Sequence, residues 1–447
     1  MVITDERWYS DIASAIRTLN LSTSSYAPSQ MADAILGIPI DTSTQTNMTY
    51  IVDAVAERGA LSLSYIIGNR ASRIASDAFA NDECALVAKF PRVTAIDRSA
   101  FASCSNLRSV SLPRCESVGP YAFAYCASLC EIALPSCRTI SAQAFYRCSA
   151  LSVASLPMCE SIAESVFYGC STLGLTSMPI CSHVGSSAFV ECKNLSLAYL
   201  PNCTTIGQFA FYSCTSLASA FVPMCEVVES STFRFCGLSG IDMPRCGQVM
   251  SMGFANCSSL AYASMPLCVL IGSSAFANCA ALSIVDFPSC TSVGQSAFAT
   301  CLALTMASLP ACKSLGMYAF QNCQTLSTVD IRACGSVLSS TFGGCNALKS
   351  VTLTSCTYIG DNAFRYCYAL PRIQADVCSY VGASAFYACS SLSTVSMPMC
   401  STIRSYAFAG CWNLISLYLT SVSSVVSLSA NAFSSTPMVG YSAYAGR

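Results

Sequence analysis

The chain has 447 residues, a net charge of -1, 53% hydrophobic residues, only 10% charged residues and 31 cysteines. Lysine and arginine are scattered singly, so the basic stripe of a nucleic-acid-binding protein is missing. Despite the apolar composition, Ser, Cys, Pro and Gly interrupt every hydrophobic run well short of the ~18 residues needed to span a bilayer, and no membrane insertion is expected.

In chain order, the first 66 residues follow no repeat. MVITDERWYSDIASAIR lacks the basic start and apolar middle of a secretory signal, so any export is expected to use another route. Ile12, Ala15, Ile16 and Leu19 share one helical face, and PSQMADAILGI begins a second short helix with Pro28 near its start and Gly37 at its end. Residues 1–40 are therefore expected to form a helical module. DTSTQTNMT reads as a linker, and IVDAVAERGALSLSYIIG as the cap of an array, giving a linker and cap over 41–70.

From residue 71 a period of 22 dominates. Phenylalanine recurs at Phe79, Phe101 and Phe123 and continues to Phe408, with a single 21-residue step from Phe233 to Phe254, which makes sixteen copies of one unit. Two interleaved cysteine series, one through Cys104 and Cys126 and one through Cys115 and Cys137, hold 29 of the 31 cysteines. Length alone suggests about three domains. A periodic array instead forms one long domain, because each unit buries its apolar side only against its neighbours. Residues 71–433 are assigned to the solenoid and 434–447 to a tail.

Within one unit LRSVSLPRC reads L-x-x-V-x-L-x-x-C, the strand half of a leucine-rich repeat. With SVGPYAFAYCASL and its copies TIGQFAFYSCTSL and YIGDNAFRYCYAL, the chain resembles the BspA-like bacterial leucine-rich repeats. The resemblance implies an α/β solenoid of about sixteen 22-residue coils, with a parallel β-sheet on the concave face. Separately, Y-S-D-I-A-x-A-I-R followed by Y-x-P-S-x-M-A-D-A-I resembles a small module at the start of phage and prophage tail-associated proteins, which implies docking to other virion or tail proteins.

Residues 22 apart stack at ~4.8 Å in such a solenoid. Each cysteine series is thus a column, read as small buried thiols at interior corners. Valine replaces cysteine at Val93 and Val422, as packing permits and metal or redox chemistry would not. Disulfide bonding is the alternative, since stacked Cα atoms lie within its reach, although parallel side-chain vectors disfavour it. Zinc would need four ligands around one point. The 21-residue coil, with FCGLSGID, is expected to absorb its missing residue without breaking any column.

The solvent side of the strand is free of packing duty. Its central position varies and includes Tyr199, Phe221, Asp242, Asp286 and Asp330; with Tyr262, two residues earlier in its coil, these are the candidate binding residues. Tyr125 and Arg147 serve as reference positions on the convex side. At the earlier position Val153, Leu175, Leu197, Tyr262, Ile284 and Met306 form either a partner-contact stripe or a local repacking of the strand edge. The single histidine, His183, lies in a variable connection, and the aspartates are two coils apart without a supporting third group, so neither a catalytic site nor a cofactor is expected. The expected function is non-enzymatic attachment to a bacterial surface glycan or protein, as a phage or prophage tail-associated receptor-binding protein. A cell-surface adhesin and a structural spacer are the alternatives, and the expected location is virion or extracellular.

Overall fold

The structure is a computed structural model and describes residues 65–419, 427–429 and 431–437. The segments expected to form two N-terminal helices, a linker and most of a cap lie outside the described residues, as do Val422 and most of the tail.

Each coil contributes two short parallel strands. The first is three residues long, as in β1 (Tyr65–Ile67), β3 (Val87–Lys89) and β5 (Ser109–Ser111); the second is two residues long, as in β2 (Arg73–Ile74), β4 (Ala95–Ile96) and β6 (Ser117–Val118). The alternation continues to β33 (Ser416–Tyr418) and β34 (Ser427–Leu428). Strands of one kind stack only on their own kind, in two parallel ladders that are each divided into shorter hydrogen-bonded sheets of two to seven strands. The pairing offset is 22 residues, as in Val87↔Ser109, and becomes 21 at Val227↔Gln248 across the short coil. β1 extends the three-residue ladder into the segment read as a cap, pairing Tyr65 with Val87.

No helix occurs among the described residues, so none is long enough to cross a membrane, and the expected α/β class is corrected to an all-β solenoid. The reason lies in the third side of the coil. Between the two-residue strand and the next cysteine the chain makes a run of turns in which two residues per coil adopt left-handed backbone, such as Ser99 (φ 53°) and Ser103 (φ 62°). A helix would turn its N–H groups inward along its own axis. Here Ser99, Phe101 and Ser103 donate instead to the carbonyls of Pro120, Ala122 and Ala124 in the next coil, at 2.7–2.9 Å. These turns thus form a third hydrogen-bonded ladder, and the residues between them close locally, as in Ala102 N–H to Ser99.

Inside lie columns of identical residues. The Phe101, Phe123 and Phe145 rings are fully buried and stack at 5.1 and 5.3 Å with interplanar angles of 3° and 1°. The column crosses the short coil at 5.4 Å between Phe233 and Phe254, and Phe433 joins it 25 residues after Phe408 at the same spacing. From Phe101 onward the residue before each stacked Phe, alanine in most coils, is buried. Where threonine replaces it, the hydroxyls of Thr232 and Thr341 donate to the carbonyls of Glu229 and Leu338, which removes the cost of an unpaired buried group.

The two cysteine columns differ in chemistry. In the first, each thiol donates to the phenylalanine carbonyl of the preceding coil, as Cys126 does to Phe101 at 3.1 Å and Cys148 to Phe123 at 3.0 Å. In the second it donates within its own coil, two residues on, as Cys115 does to Ser117 and Cys137 to Thr139 at 3.3 Å. All these sulfurs are buried, and burial pushes the thiols of Cys115 and Cys137 up to about 11 and about 12. Val93 is fully buried at the next position of the second column, so a small apolar group suffices there. Cys84 and Cys130, outside both columns, are exposed.

The short coil keeps both of its strands and all the side-chain columns, but the three-residue ladder is interrupted there, since Ser219–Phe221 and Gly240–Asp242 are not hydrogen-bonded neighbours. Its residue is removed between Cys236 and Leu238, where Gly237 passes so close to the preceding coil that a Cβ would stand 2.4 Å from the Thr215 carbonyl oxygen. Glycine alone fits that approach. β17 (Gly240–Asp242) remains paired with β19 (Tyr262–Ser264), and Cys257 still donates to Phe233 at 2.9 Å.

Candidate recognition face

In a three-residue strand the middle side chain points into the core and the outer two point to solvent, as the pleat requires. β13 (Leu197–Tyr199) shows this with an exposed–buried–exposed pattern, as do β15 (Ser219–Phe221) and β21 (Ile284–Asp286). The face is therefore two exposed columns separated by a buried one, and the six candidate residues all lie on it.

They form three groups rather than one site. Tyr199 and Phe221 are register partners, and their rings stack at 5.4 Å and 12°, both nearly half exposed. Parallel strands hold the two Cα atoms at a spacing suited to offset stacking, so the pair is a preformed apolar plate.

The second group is Asp242 with Tyr262. Tyr262 stands beside Gly240 in register, and its ring covers that glycine: a Cβ on Gly240 would meet the Tyr262 Cε1 at 2.0 Å. The missing side chain lets the phenol reach across to the preceding coil, where its hydroxyl donates to Asp242 Oδ2 at 3.4 Å.

Asp286 and Asp330 make the third group. Ser308 lies between them in register on β23 (Met306–Ser308), and both carboxylates line a shallow depression of about 340 Å³ with Met306, Thr328 and Thr352. Asp330 on β25 (Thr328–Asp330) is not a free carboxylate. Arg332 Nε donates to Asp330 Oδ1 at 3.0 Å, and this contact holds the Asp330 carboxyl below its usual range. Arg332 was not singled out in the sequence. It occupies the position that most coils give to proline, and the loss of that proline was the available signal. Gln374 and Asp376 repeat the arrangement, with Asp376 at the proline position accepting from Gln374 at 3.0 Å.

The first exposed column faces solvent. Val153, Leu175, Leu197, Tyr262, Ile284 and Met306 are 37–61% exposed, so they do not repack the strand edge. Leu175 and Val153 are register partners, as are Ile284 and Met306, which makes the apolar positions continuous between neighbours. His183 Nδ1 lies 2.5 Å from Thr205 Oγ1 on the two-residue ladder, away from this face. Among the described residues no group of three or more His, Cys, Asp or Glu side chains is placed to hold a metal ion.

The family model for the BspA type leucine rich repeat region matches the chain over residues 72–196, 138–261, 248–371 and 313–439. Among solved structures the chain is similar to a leucine-rich repeat protein from Bacteroides ovatus, with 27% identity, 74% of this chain and 86% of that chain covered, and a TM-score of 0.61. It is also similar to a leucine rich cell surface protein from Faecalibacterium prausnitzii, at 24% identity over 68% and 91% of the chains with a TM-score of 0.43. A third match is a leucine-rich repeat protein from Eubacterium ventriosum, at 18% identity over 73% and 90% with a TM-score of 0.39. No curated protein matches.

Proposed function

Because the chain belongs to the BspA-type leucine-rich repeat family, we propose that it is a non-catalytic recognition protein whose three-residue ladder binds a bacterial surface glycan or protein. One observation carries this reading. On a framework whose buried positions hardly change from coil to coil, the exposed positions vary and hold large apolar groups in water, with the Tyr199–Phe221 plate flanked by Leu197 and Leu175, the latter 61% exposed. Exposed aromatics of this kind cost solvation and serve as anchors when covered by a partner. Stacked rings suit a sugar face or an apolar side chain, and Asp242 and Asp286 supply acceptors for hydroxyls or cations.

The finer reading is a phage or prophage tail-associated receptor-binding protein, supported by the resemblance of the N-terminal segment to tail-associated modules, which would dock to other virion proteins. A bacterial adhesin would use the same face, whereas a spacer would not need exposed aromatic variation.

The test is binding of the purified chain to a glycan array and to whole bacterial cells, with Tyr199→Ala, Phe221→Ala and Asp286→Ala alone and combined. Each single change is expected to weaken binding by ~1–2 kcal/mol with an unchanged melting temperature. Ser292→Ala and Thr402→Ala, on the two-residue ladder, are the controls. A triple variant that binds as well as the parent would remove this face from consideration.

A further inference from the structure

The turn ladder carries a second surface with its own chemistry. The left-handed residue before each first-column cysteine points outward, and in four successive coils this row reads Tyr125, Arg147, Gly169 and Glu191, with φ of 63°, 56°, 72° and 59°. Their N–H groups are all fixed to the next coil at 2.7–2.9 Å, so the row is rigidly presented. It borders a shallow depression of about 390 Å³ whose other side is Ala127, Ser149 and Ser171. The positions expected to be inert references, Tyr125 and Arg147, thus line a depression of their own.

Three features of this depression point to a ligand. Tyr125 is 49% exposed, and its ring meets Tyr146 edge-on at 5.5 Å, which leaves a face open. Arg147 and Glu191 are both exposed, and neither belongs to any of the three ion pairs among the described residues, although the Arg147 guanidinium lies over the Tyr146 ring at 5.7 Å. They stand two coils apart, about 10 Å along the stack. Gly169 separates them without a side chain of its own, and the Arg147 side chain packs over it. Two charges of opposite sign are therefore held apart over a polar floor beside an aromatic face.

The geometry points to a binding site for a carboxylated sugar on the turn ladder. The ring would stack on Tyr125 and the carboxylate would take the Arg147 guanidinium, with Ser149 beside it, while Glu191, three coils from Tyr125 and so ~14 Å along the stack, would accept from the next unit of a longer sugar chain. A neutral sugar would leave Arg147 unused, and a simple anion would use neither Tyr125 nor Glu191. This site lies apart from the three-residue ladder and does not depend on that face being a recognition surface.

The experiment is titration of the full chain with D-galacturonate and D-galactose, followed by saturation-transfer NMR and calorimetry. Galacturonate is expected to bind about tenfold tighter than galactose, as a charge-assisted hydrogen bond supplies. Arg147→Gln should abolish this difference while leaving galactose binding as it was; glutamine is tolerated in left-handed backbone here, as Gln143 at φ 59° shows. Tyr125→Ala should weaken both sugars, and the Tyr199→Ala, Phe221→Ala pair should change neither. Absence of saturable galacturonate binding, equal affinity for the two sugars, indifference to Arg147→Gln, or loss of binding in the Tyr199, Phe221 pair would each overturn the assignment.

Discussion

The buried thiols set two measurable properties at the scale of single residues. Only Cys84 and Cys130 are exposed, so native protein is expected to yield two rapidly reacting thiols and denatured protein all 31. Recovery of few thiols after denaturation would show crosslinks in place of hydrogen-bonded S–H groups. The second property is alkaline sensitivity. Burial pushes Cys115, Cys290 and Cys356 up to about 11 and Cys159, Cys203 and Cys268 up to about 12. An unfolded thiol ionises near 8.5. Below that value both states are protonated and the contribution to stability is complete. Above it the unfolded chain releases protons that the native chain retains, so stability falls as pH rises through 9 to 11, by about 1.4 kcal/mol per pH unit for each such thiol. The denaturant midpoint should be flat from pH 7 to 8 and drop steeply by pH 10; a midpoint unchanged at pH 10 would contradict the buried, protonated columns.

At the scale of the coil, Gly237 is where the short unit is closed. Gly237→Ala places a Cβ against the Thr215 carbonyl, and the strain is expected to cost about 1–3 kcal/mol. The same change at Gly335, where a Cβ would meet nothing within 4 Å, should leave the chemical-denaturation midpoint nearly unmoved. Equal effects at the two glycines would mean that the short coil is not closed by that approach. Much of the coil was legible beforehand, because phenylalanine, leucine and cysteine at fixed spacing state which side chains stack. The third side was not. Its left-handed positions hold Tyr, Arg, Phe and Met as well as Ser and Asn, so no residue type marks them. The backbone there is held by bonds to the next coil rather than by local preference. The same limit applies to the recognition face: the sequence showed that Tyr199, Asp242 and Asp330 vary, while the reach of Tyr262 over Gly240 and the grip of Arg332 on Asp330 depend on register between coils.

The whole array is a one-dimensional stack in which each unit touches only its neighbours, so stability is a sum of units and interfaces. Hydrogen exchange is expected to be slowest in the central coils and faster toward both ends. An interior Phe233→Ala change should cost about 3–5 kcal/mol and also interrupt the aromatic column at its middle. The two halves should then melt separately. A single cooperative transition in that variant, together with uniform exchange along the parent, would mean that coupling reaches beyond nearest neighbours. The thiol columns bear on a different question, the order of events by which the chain matures. Before the columns close, 31 cysteines are accessible, and their possible pairings far outnumber the 105 open to eight. Thiolate attack needs access, which the finished coils deny. Folding and oxidation are thus competitors in time: a chain that stacks first is protected by its own geometry, and one that meets an oxidant first is trapped in wrong pairings. Refolding yield should accordingly depend on the presence of a reductant during the first moments, and become indifferent to it afterwards.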